Sequence, residues 1–447
     1  MEAGLVVIGA QTAGLAAATE ARRRNPSLPV TVVDRGRHPA VATCGLPWLF
    51  RGDSAAMVLH PPEELARRYR LDLRMDHDVI GLDFARRLVR CRRADGSLQE
   101  IPFRRLVIAT GARPRVPPEI LAGPASNTFT LRGVTDAEAL REFLASRNPR
   151  RAAILGAGQL GLEMADAFRR LGLEVTLLEQ ADQPLPGVIP PLAEALRQVL
   201  AAQAVDFRPR TRVLAVRPAG AGIALELNDG SRLESDLLFC ATGIRPNTEI
   251  FREHSFRFDA EGHLAVDLRL ETPLDGVYAA GDCAAAPHLL HGGLAAAHSA
   301  VVAARTGRVA GVNAAGYHAE IPGLLGAWCL KVFGREIASA GVTADDAPAG
   351  WPVACVEVSV PARPPYMSGP GPSRLAGFFR TDTRTLVGCQ LIGGEGAAAA
   401  LQPVPLLLQH RCGPGEILQT EFPYTPPLGP LWHPLQQLAR VAEKTLP

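Results

Sequence analysis

Two Rossmann-like βαβ units, one nested inside the other, make α/β the fold class that this sequence of 447 residues predicts. Glycine-rich turns follow short apolar runs at residues 9–14 and 156–161, and a helical pattern and a second apolar run follow each turn. Similar Ala-Thr-Gly segments occur at residues 109–111 and 241–243, on either side of the second unit. Because these segments are typical of strand exits, they indicate where the chain passes between the nested units.

The balance of charge argues against a nucleic-acid-binding protein. The chain has 47 Lys and Arg residues against 45 Asp and Glu residues, a net charge of +2, whereas a nucleic-acid surface needs a clustered basic excess. Apolar residues make up 47% and charged residues 21% of the chain, which excludes a disordered or fibrous class. The sequence has no basic segment before its first apolar run, and its longest uncharged stretch, residues 283–304, is interrupted by a proline, two glycines and three histidines. We therefore expect no signal peptide, no membrane span and a cytoplasmic location.

The eight cysteines are widely separated, and no two lie within five positions of each other. This spacing excludes CxxC zinc pairs and a local dithiol. Cys44 stands out because Pro47 follows it, and proline is well suited to the first turn of a helix. At a helix N-terminus the dipole would favour the thiolate of Cys44, although a small buried side chain is the alternative. The other seven cysteines are expected to be small core residues.

The first βαβ unit has most of the features of a dinucleotide site. Gly9 permits a tight turn, Gly14 allows the helix to pack closely on the strand, and the helix N-terminus attracts a pyrophosphate. Asp34 lies twenty residues after Gly14 and is placed to accept hydrogen bonds from a ribose hydroxyl. Gln11 replaces the middle glycine of the fingerprint, so an ordinary strand–helix turn is the alternative.

The second unit carries a complete fingerprint, GxGxxG, formed by Gly156, Gly158 and Gly161 directly after an apolar strand. Glu179 ends the next strand, where its carboxylate would bind a bare 2′-hydroxyl and repel a 2′-phosphate. The unit therefore favours NADH, while two nearby arginines keep NADPH as an alternative. Later in the chain another strand ends in Gly-Asp, and Asp282 is placed there to bind a hydroxyl of the first dinucleotide.

The order of these motifs resembles that of the FAD-dependent pyridine nucleotide–disulfide oxidoreductases over essentially the whole chain. The resemblance implies a glutathione-reductase-type fold, with an FAD-binding domain at residues 1–115 and 245–320 and an inserted NAD(P)H-binding domain at 116–244. A C-terminal α+β dimerisation domain would occupy residues 321–447 and form a homodimer with shared active sites. The residues that we expect to bind FAD and NAD(P)H are Gly9, Gly14, Asp34, Thr110, Gly111, Gly156, Gly158, Gly161, Glu163, Glu179, Gly281 and Asp282.

Cys44 has no second cysteine five positions away, which resembles the single-cysteine branch of CoA-disulfide reductases, NADH oxidases and NADH peroxidases. The sequence from Cys44 to Trp48 is similar to the CGLPY motif of the CoA-disulfide reductases, and residues 424–435 resemble their YAPPF…WDPL segment. Thr12 stands where the oxidases and peroxidases usually have a histidine. The resemblance implies reduction of CoA disulfide, or of a related low-molecular-weight disulfide or persulfide, by NAD(P)H.

The resemblance also assigns roles at the active site. Cys44 would be the redox-active residue, and Tyr366 and Tyr424 would reach it from the second subunit and donate a proton to a leaving thiolate. Interface packing is the alternative for both tyrosines. Arg23, Thr43 and Arg74 are the expected substrate-binding residues, with a solvated helix cation as the alternative for Arg23. The chain departs from the family pattern at Glu20, Ala40, Thr43 and Ala304.

Two other functions stay open. In an NADH oxidase or peroxidase, Cys44 would cycle through a sulfenic acid. In an NADH-sensing flavoprotein, Cys44 would be idle and the protein would act by binding partners. The histidines at positions 288, 291 and 298 are expected to lie on the surface or to line a helix, and we expect no metal site.

Overall fold

A computed structural model describes residues 3–52 and 57–447, and the chain forms two compact units. The first unit comprises Met1–Arg115, Leu131–Ala137 and Ile244–Leu324. The second comprises Val116–Thr130, Glu138–Gly243 and Leu325–Pro447. The segments of the two units alternate along the chain.

The described part of the chain contains both strands and helices, which alternate in the two βαβ units at residues 4–33 and 151–178. The strands are β1 Gly4–Ile8, β2 Val30–Val33, β3 Asp72–Arg74, β4 His77–Asp83, β5 Leu88–Arg93, β6 Leu98–Ile108, β7 Ala112–Pro114, β8 Thr128–Phe129, β9 Arg151–Leu155, β10 Glu174–Leu178, β11 Val205–Arg208, β12 Val213–Ala219, β13 Gly222–Leu227, β14 Arg232–Ser235, β15 Leu237–Cys240, β16 Ile244–Pro246, β17 Leu264–Ala265, β18 Val277–Ala279, β19 Ala284–Pro287, β20 Leu294–Ala295, β21 Trp328–Val332, β22 Arg335–Gly341, β23 Val353–Val360, β24 Ser373–Arg380 and β25 Leu386–Gly393. The helices are α1 Thr12–Arg24, α2 Leu46–Phe50, α3 Pro62–Tyr69, α4 Pro118–Leu121, α5 Val134–Arg147, α6 Gln159–Arg170, α7 Pro190–Ala202, α8 Ala300–Ala314, α9 Val404–Gln409, α10 Pro414–Gln419 and α11 Pro434–Thr445.

The main sheet of the first unit has the strand order β3-β2-β1-β6-β5-β4, and β18 pairs with β6. Strands β1, β2, β3, β6 and β18 run parallel, and every residue of β1 is buried. Continuous apolar runs of this kind are typical of parallel strands that are covered on both faces. Helices α1 and α8 pack closely, because a Cβ at Gly307 or Gly311 would lie within about 2.2 Å of a carbonyl oxygen of α1.

The second unit contains two five-stranded sheets. The parallel sheet β11-β10-β9-β15-β8 carries the second βαβ unit, β9-α6-β10. The antiparallel sheet β21-β22-β25-β24-β23 belongs to the C-terminal part of the chain. The buried side chain of Gln390 on β25 donates to the carbonyl of Gly187 (2.8 Å) and accepts from the amide of Ile189 (2.9 Å). These two hydrogen bonds connect the antiparallel sheet to the segment before α7.

The predicted α/β class with two Rossmann-like units is confirmed by the parallel sheets of both units. No helix in the described part of the chain is both long enough and apolar enough to cross a membrane.

Candidate active site and cofactor sites

The first glycine-rich turn connects β1 to α1, and its geometry requires both of its glycines. Gly9 has φ +111°, and a Cβ there would lie 2.1 Å from the carbonyl oxygen of Ala109. A Cβ at Gly14 would lie 1.8 Å from the carbonyl oxygen of Gly9. The glycines therefore bring the N-terminus of α1 against the end of β1, which is the arrangement that receives a pyrophosphate.

The carboxylate of Asp34 is fixed against this turn. Its Oδ2 accepts a hydrogen bond from the amide of Ala10 (2.6 Å), and its Oδ1 accepts one from the amide of Gly36 (2.7 Å). Burial raises the pKa of Asp34, while the two backbone hydrogen bonds act in the opposite direction. A carboxylate has about four lone-pair positions, so Asp34 keeps the capacity to accept a further hydrogen bond.

Gln11 has a role that sequence reasoning missed. Its Nε2 donates to the carbonyl of His38 (2.9 Å), and its Oε1 accepts from the amide of Val41 (2.9 Å). The side chain thus fastens the segment that leads from the first βαβ unit to Cys44. The sequence did show that an amide residue replaces the middle glycine of the fingerprint. It could not show what Gln11 binds, because both hydrogen-bond partners lie about thirty residues away in the chain.

The second turn, between β9 and α6, repeats the geometry of the first. Gly156 has φ +102°, and a Cβ at Gly161 would lie 1.9 Å from the carbonyl oxygen of Gly156. The carboxylate of Glu179 accepts from the amides of Ala157 (2.7 Å) and Ala181 (2.9 Å). At Gly158, by contrast, no non-neighbouring atom of the described chain lies within 4 Å of the Cβ position. This open space before the helix fits a dinucleotide, whose pyrophosphate approaches the backbone there.

Thr110 and Gly111 lie where the chain leaves β6. The hydroxyl of Thr110 donates to the carbonyl of Asn247 (2.7 Å), and the side-chain amide of Asn247 donates to the carbonyl of Thr110 (2.9 Å). Gly111 has φ +62°, and its carbonyl accepts from the amide of Asn247. These bonds support the pairing of β7 with β16. The predicted residue Glu163 lies half-buried on α6.

The Gly281–Asp282 turn lies against α1 and α8. Gly281 has φ +75°, and its amide donates to the hydroxyl of Thr306 on α8 (3.1 Å). Asp282, which is largely buried, forms an ion pair with Arg132. Sequence reasoning missed Arg132, because the two partners are 150 residues apart in the chain.

Cys44 lies on an exposed 3₁₀ turn, Thr43–Gly45, directly before the five-residue helix α2. Pro47 occupies the first turn of that helix, so the predicted position of Cys44 at a helix start is confirmed. Among the other cysteines, those at positions 91, 240, 283 and 389 are buried as expected, and burial raises the pKa of Cys91 to about 11.

Two of the cysteine predictions were wrong. Cys329 and Cys355 were expected in the core, but both are exposed. The reason is their position, because they lie on β21 and β23, the two edge strands of the antiparallel sheet. Cys412 is half-buried.

The three predicted substrate residues all lie in the first unit, in different surroundings. Arg23 is exposed on the last turn of α1, and its Nη1 is 3.6 Å from the carboxylate of Glu20. The guanidinium of Arg74 is largely buried and lies 2.7 Å from the carboxylate of Asp72. Thr43 belongs to the same turn as Cys44. Glu20, which departs from the family pattern, lies within ion-pair distance of Arg23 and also of Arg24 (3.1 Å).

Tyr366 and Tyr424 lie together on the surface of the second unit. Their hydroxyl oxygens are 3.3 Å apart, and both side chains are exposed. The hydrogen bond with Tyr366 raises the pKa of Tyr424. Tyr366 and Tyr424 are 58 positions apart in the chain, yet their phenol groups form a hydrogen-bonded pair.

His433 fastens the segment that carries Tyr424. Its Nδ1 accepts from the amide of Leu435 (3.3 Å) and so caps α11, and its ring stacks on Phe422 with centroids 4.0 Å apart. Gln436 accepts from the amide of His433 (3.1 Å) and donates to two carbonyls at the end of α10. Burial lowers the pKa of His433 to about 4, so its ring is neutral near pH 7 and can accept the capping bond.

This cap predicts a loss of stability in acid. The pKa of His433 in the folded protein, about 4, lies below the unfolded value of about 6.5. Its contribution to stability is therefore complete above pH 6.5 and falls as the pH drops toward 4, by up to about tenfold in the unfolding equilibrium for each pH unit. We expect His433→Asp, which caps as an anion, to lose less thermal stability than the parent between pH 7.5 and pH 5.0. Equal losses in the two melting curves would contradict this role.

Histidines 288 and 291 were expected at the surface or lining a helix, and His291 is exposed. His288 is buried, not at the surface, and its ring stacks on that of His291 with centroids 4.1 Å apart. Within the described residues, no three His, Cys, Asp or Glu side chains are grouped as metal ligands would be.

The chain resembles known proteins over almost its full length. A CoA-dependent NAD(P)H sulfur oxidoreductase of Pyrococcus abyssi is 30% identical over 440 residues, which cover 98% of this chain and 97% of the relative. An NADH oxidase of Methanocaldococcus jannaschii is 28% identical over 99% of both chains. The solved structure of an NAD-dependent persulfide reductase from A. fulgidus superposes with a TM-score of 0.94 at 29% identity, covering 98% of this chain and 83% of that one. The family model described as pyridine nucleotide-disulphide oxidoreductase matches residues 3–304. With more than half of its length matched, the chain belongs to the pyridine nucleotide-disulphide oxidoreductase family.

Proposed function

We propose that the protein is a flavoenzyme that uses NAD(P)H to reduce CoA disulfide, or a related low-molecular-weight disulfide or persulfide, at Cys44. The observation that carries this proposal is an exposed cysteine on the turn before a helix, in a chain with two glycine turns of dinucleotide-binding geometry. The names of the relatives from P. abyssi and A. fulgidus, a CoA-dependent sulfur oxidoreductase and a persulfide reductase, support the substrate class.

Members of this family use FAD and NAD(P)H, and each unit of the chain offers one fitting turn. FAD would bind the first unit at Gly9, Gly14 and Asp34, with Asp282 at the end of β18. When bound, FAD supplies the two-electron chemistry that links the nicotinamide to a sulfur atom. The nicotinamide dinucleotide would bind the turn between β9 and α6 in the second unit.

Glu179 supports NADH as the preferred electron donor. Both of its carboxylate oxygens are tied to backbone amides beside the second turn, which holds the negative charge at the end of β10. A ribose 2′-hydroxyl can donate to such a carboxylate, whereas a 2′-phosphate would be repelled by it. We therefore expect a lower KM for NADH than for NADPH in the same assay.

The chemistry at Cys44 is thiol–disulfide exchange. The Cys44 thiolate attacks one sulfur of the substrate disulfide, a bond forms between Cys44 and that sulfur, and the other half leaves as a thiolate. Two electrons from NAD(P)H then cleave the mixed disulfide and restore the Cys44 thiolate, and the second thiolate leaves. Protons from solvent or from the Tyr366–Tyr424 pair neutralise the released thiolates, so that one disulfide, one NADH and one proton give two thiols and NAD⁺.

A homodimer is part of this proposal. The C-terminal part of the second unit exposes large apolar side chains, including Leu428 (86% exposed), Leu431 (66%) and Trp432. Adjacent exposed apolar residues are typical of protein–protein interfaces. In such a dimer Tyr366 and Tyr424 would complete the active site of the partner subunit.

The second candidate function is an NADH oxidase or peroxidase that forms a sulfenic acid at Cys44. The relative from M. jannaschii, which bears the name NADH oxidase, supports this alternative. Thr12 at the start of α1 weighs against it, because oxidases and peroxidases of the single-cysteine branch usually have a histidine there.

Mass spectrometry combined with turnover assays separates these functions. Denaturing spectra of the resting protein should show a CoA-sized adduct on Cys44 that a reductant removes, and native spectra should show a dimer. NADH should be oxidised much faster with CoA disulfide or CoA persulfide than with oxygen or peroxide. One or two added oxygen atoms on Cys44 with rapid oxygen or peroxide turnover would favour the second candidate. An unmodified thiol with no turnover of any of these acceptors would overturn both.

A further inference from the structure

A chain of hydrogen bonds in the first unit, with a buried histidine at its centre, links three residues that have no role in the function proposed above. His263 is only 4% exposed, and its Nδ1 lies 2.8 Å from a carboxylate oxygen of Asp259. Its Nε2 lies 3.0 Å from Nε2 of His298, which precedes α8. The ring of His298 reaches solvent. The chain therefore runs from a carboxylate through a buried imidazole to an accessible one.

The partners of Asp259 set the positions of the protons. Its Oδ1 accepts from the backbone amides of His263 (2.8 Å) and Glu261 (3.0 Å), so the carboxylate acts as an acceptor throughout. Neutral His263 then carries its proton on Nδ1 and offers Nε2 as an acceptor. It follows that the bond between the two imidazoles is donated by Nε2–H of His298. In this chain His298 donates to His263, and His263 donates to Asp259.

His298 lies two residues before α8, and the Gly281–Asp282 turn contacts this helix: the amide of Gly281 donates to Thr306 (3.1 Å), and a Cβ at Gly281 would lie 3.8 Å from Cβ of Ala303. The groups that act on His298 are Asp282 after β18, Arg132 before α5, and His263 and Asp259 on its other side. Partial desolvation lowers the pKa of His298, Asp282 and Asp259 oppose that shift, and His263 and Arg132 add to it. The ring is therefore neutral near pH 7 and sensitive to any new charge beside Asp282.

We propose that the Asp259–His263–His298 chain is a proton-accepting site that is coupled to the redox state of the flavin, with His298 taking up a proton when the flavin beside Asp282 is reduced. The proposal rests on the proposed function, which places FAD at Asp282. Hydride transfer from NADH adds two electrons and one proton to the flavin and leaves it with one more negative charge. A nearby negative charge favours the protonated imidazole, so His298 takes one further proton from solvent and Asp259 stabilises the cation through His263.

This coupling changes how the flavin potential depends on pH. For a two-electron couple, each proton taken up contributes 29.6 mV per pH unit, which is a tenfold change in the equilibrium constant. We expect the slope between pH 6 and pH 8 to be steeper in the parent than in His298→Gln, by up to that amount. Glutamine keeps a hydrogen-bond donor for His263 but cannot take up a proton.

The experiment is a spectroelectrochemical titration of the FAD-loaded protein in a Cys44→Ser background, where the flavin titrates without the cysteine. Asp259→Asn is the second variant, because an amide cannot stabilise the protonated pair, and its slope should also be shallow. His318→Gln, an exposed histidine of the same unit, is the matched control and should keep the parent slope. If His298→Gln does not retain FAD, the proposal is tested by Asp259→Asn alone, whose potential should depend less steeply on pH than that of the parent.

Equal slopes in the parent and the variants would overturn the proton-coupling proposal while leaving the proposed function intact. The proposed function would fail differently, because a purified protein that binds no FAD, or whose FAD is not reduced by NADH, would show this before any titration.

Discussion

Replacing Cys44 by serine is expected to lower kcat for CoA disulfide or persulfide by about 10³-fold or more, because serine has no thiolate to attack the sulfur. Reduction of the flavin by NADH should persist, since the residues proposed to bind the two dinucleotides do not include Cys44. Steady-state assays measure the first effect. Rapid-mixing absorbance at the flavin band, with NADH and without acceptor, measures the second.

The chain offers a matched control for this variant. Cys329 is also an exposed thiol, but it lies on the edge strand β21 of the antiparallel sheet, and Cys329→Ser should keep full turnover. Disulfide turnover by Cys44→Ser at the parent rate would contradict the proposed chemistry. That outcome would favour an NADH-sensing flavoprotein in which Cys44 is idle.

The second large effect is a contrast between two glycines of the same turn. In Gly161→Ala the new Cβ would lie 1.9 Å from the carbonyl oxygen of Gly156, so α6 must move away from β9 and the second unit should lose stability. In Gly158→Ala the backbone φ of −75° suits alanine, and the new methyl group meets no non-neighbouring atom of the described chain within 4 Å. That variant should melt like the parent. Its KM for NADH should nevertheless rise by about tenfold, because overlap with the pyrophosphate costs on the order of 1.4 kcal/mol.

Three measurements test this contrast. Thermal unfolding separates Gly161→Ala from the parent, NADH kinetics separate Gly158→Ala from it, and FAD content should be unchanged in Gly158→Ala. Gly415→Ala on α10 adds a methyl group in similarly open space and should change neither stability nor KM. An unchanged KM for NADH in Gly158→Ala would place the dinucleotide elsewhere.

The parts of the site that could be predicted from the sequence are those with local causes. A glycine with positive φ, such as Gly9 or Gly156, is required by a single turn, and an acidic residue at the next strand end lies beside that turn by the geometry of the βαβ unit. Cys44 was placed at a helix start for the same reason, because Pro47 follows within one turn.

The parts that could not be predicted depend on partners far away in the chain. Asp282 and Arg132 are 150 residues apart, and His263 and His298 are 35 residues apart. No spacing rule relates such pairs, since the folded sheet decides which loops meet. The wrong placement of Cys329 has a similar origin, because whether a strand is central or at an edge is a property of the sheet order.

By itself, then, the sequence determined the α/β class, the two glycine turns and the cysteine that precedes a helix, because each is fixed by backbone sterics within one βαβ unit or one turn. Only the tertiary structure decided which side chains form hydrogen bonds or ion pairs with each other. It brings Tyr366 to Tyr424, places His433 as the neutral cap of α11, and joins Asp259, His263 and His298 in one chain of hydrogen bonds. The physical reason is that hydrogen bonds and ion pairs depend on distances of about 3 Å, which the fold sets between residues that the sequence keeps far apart.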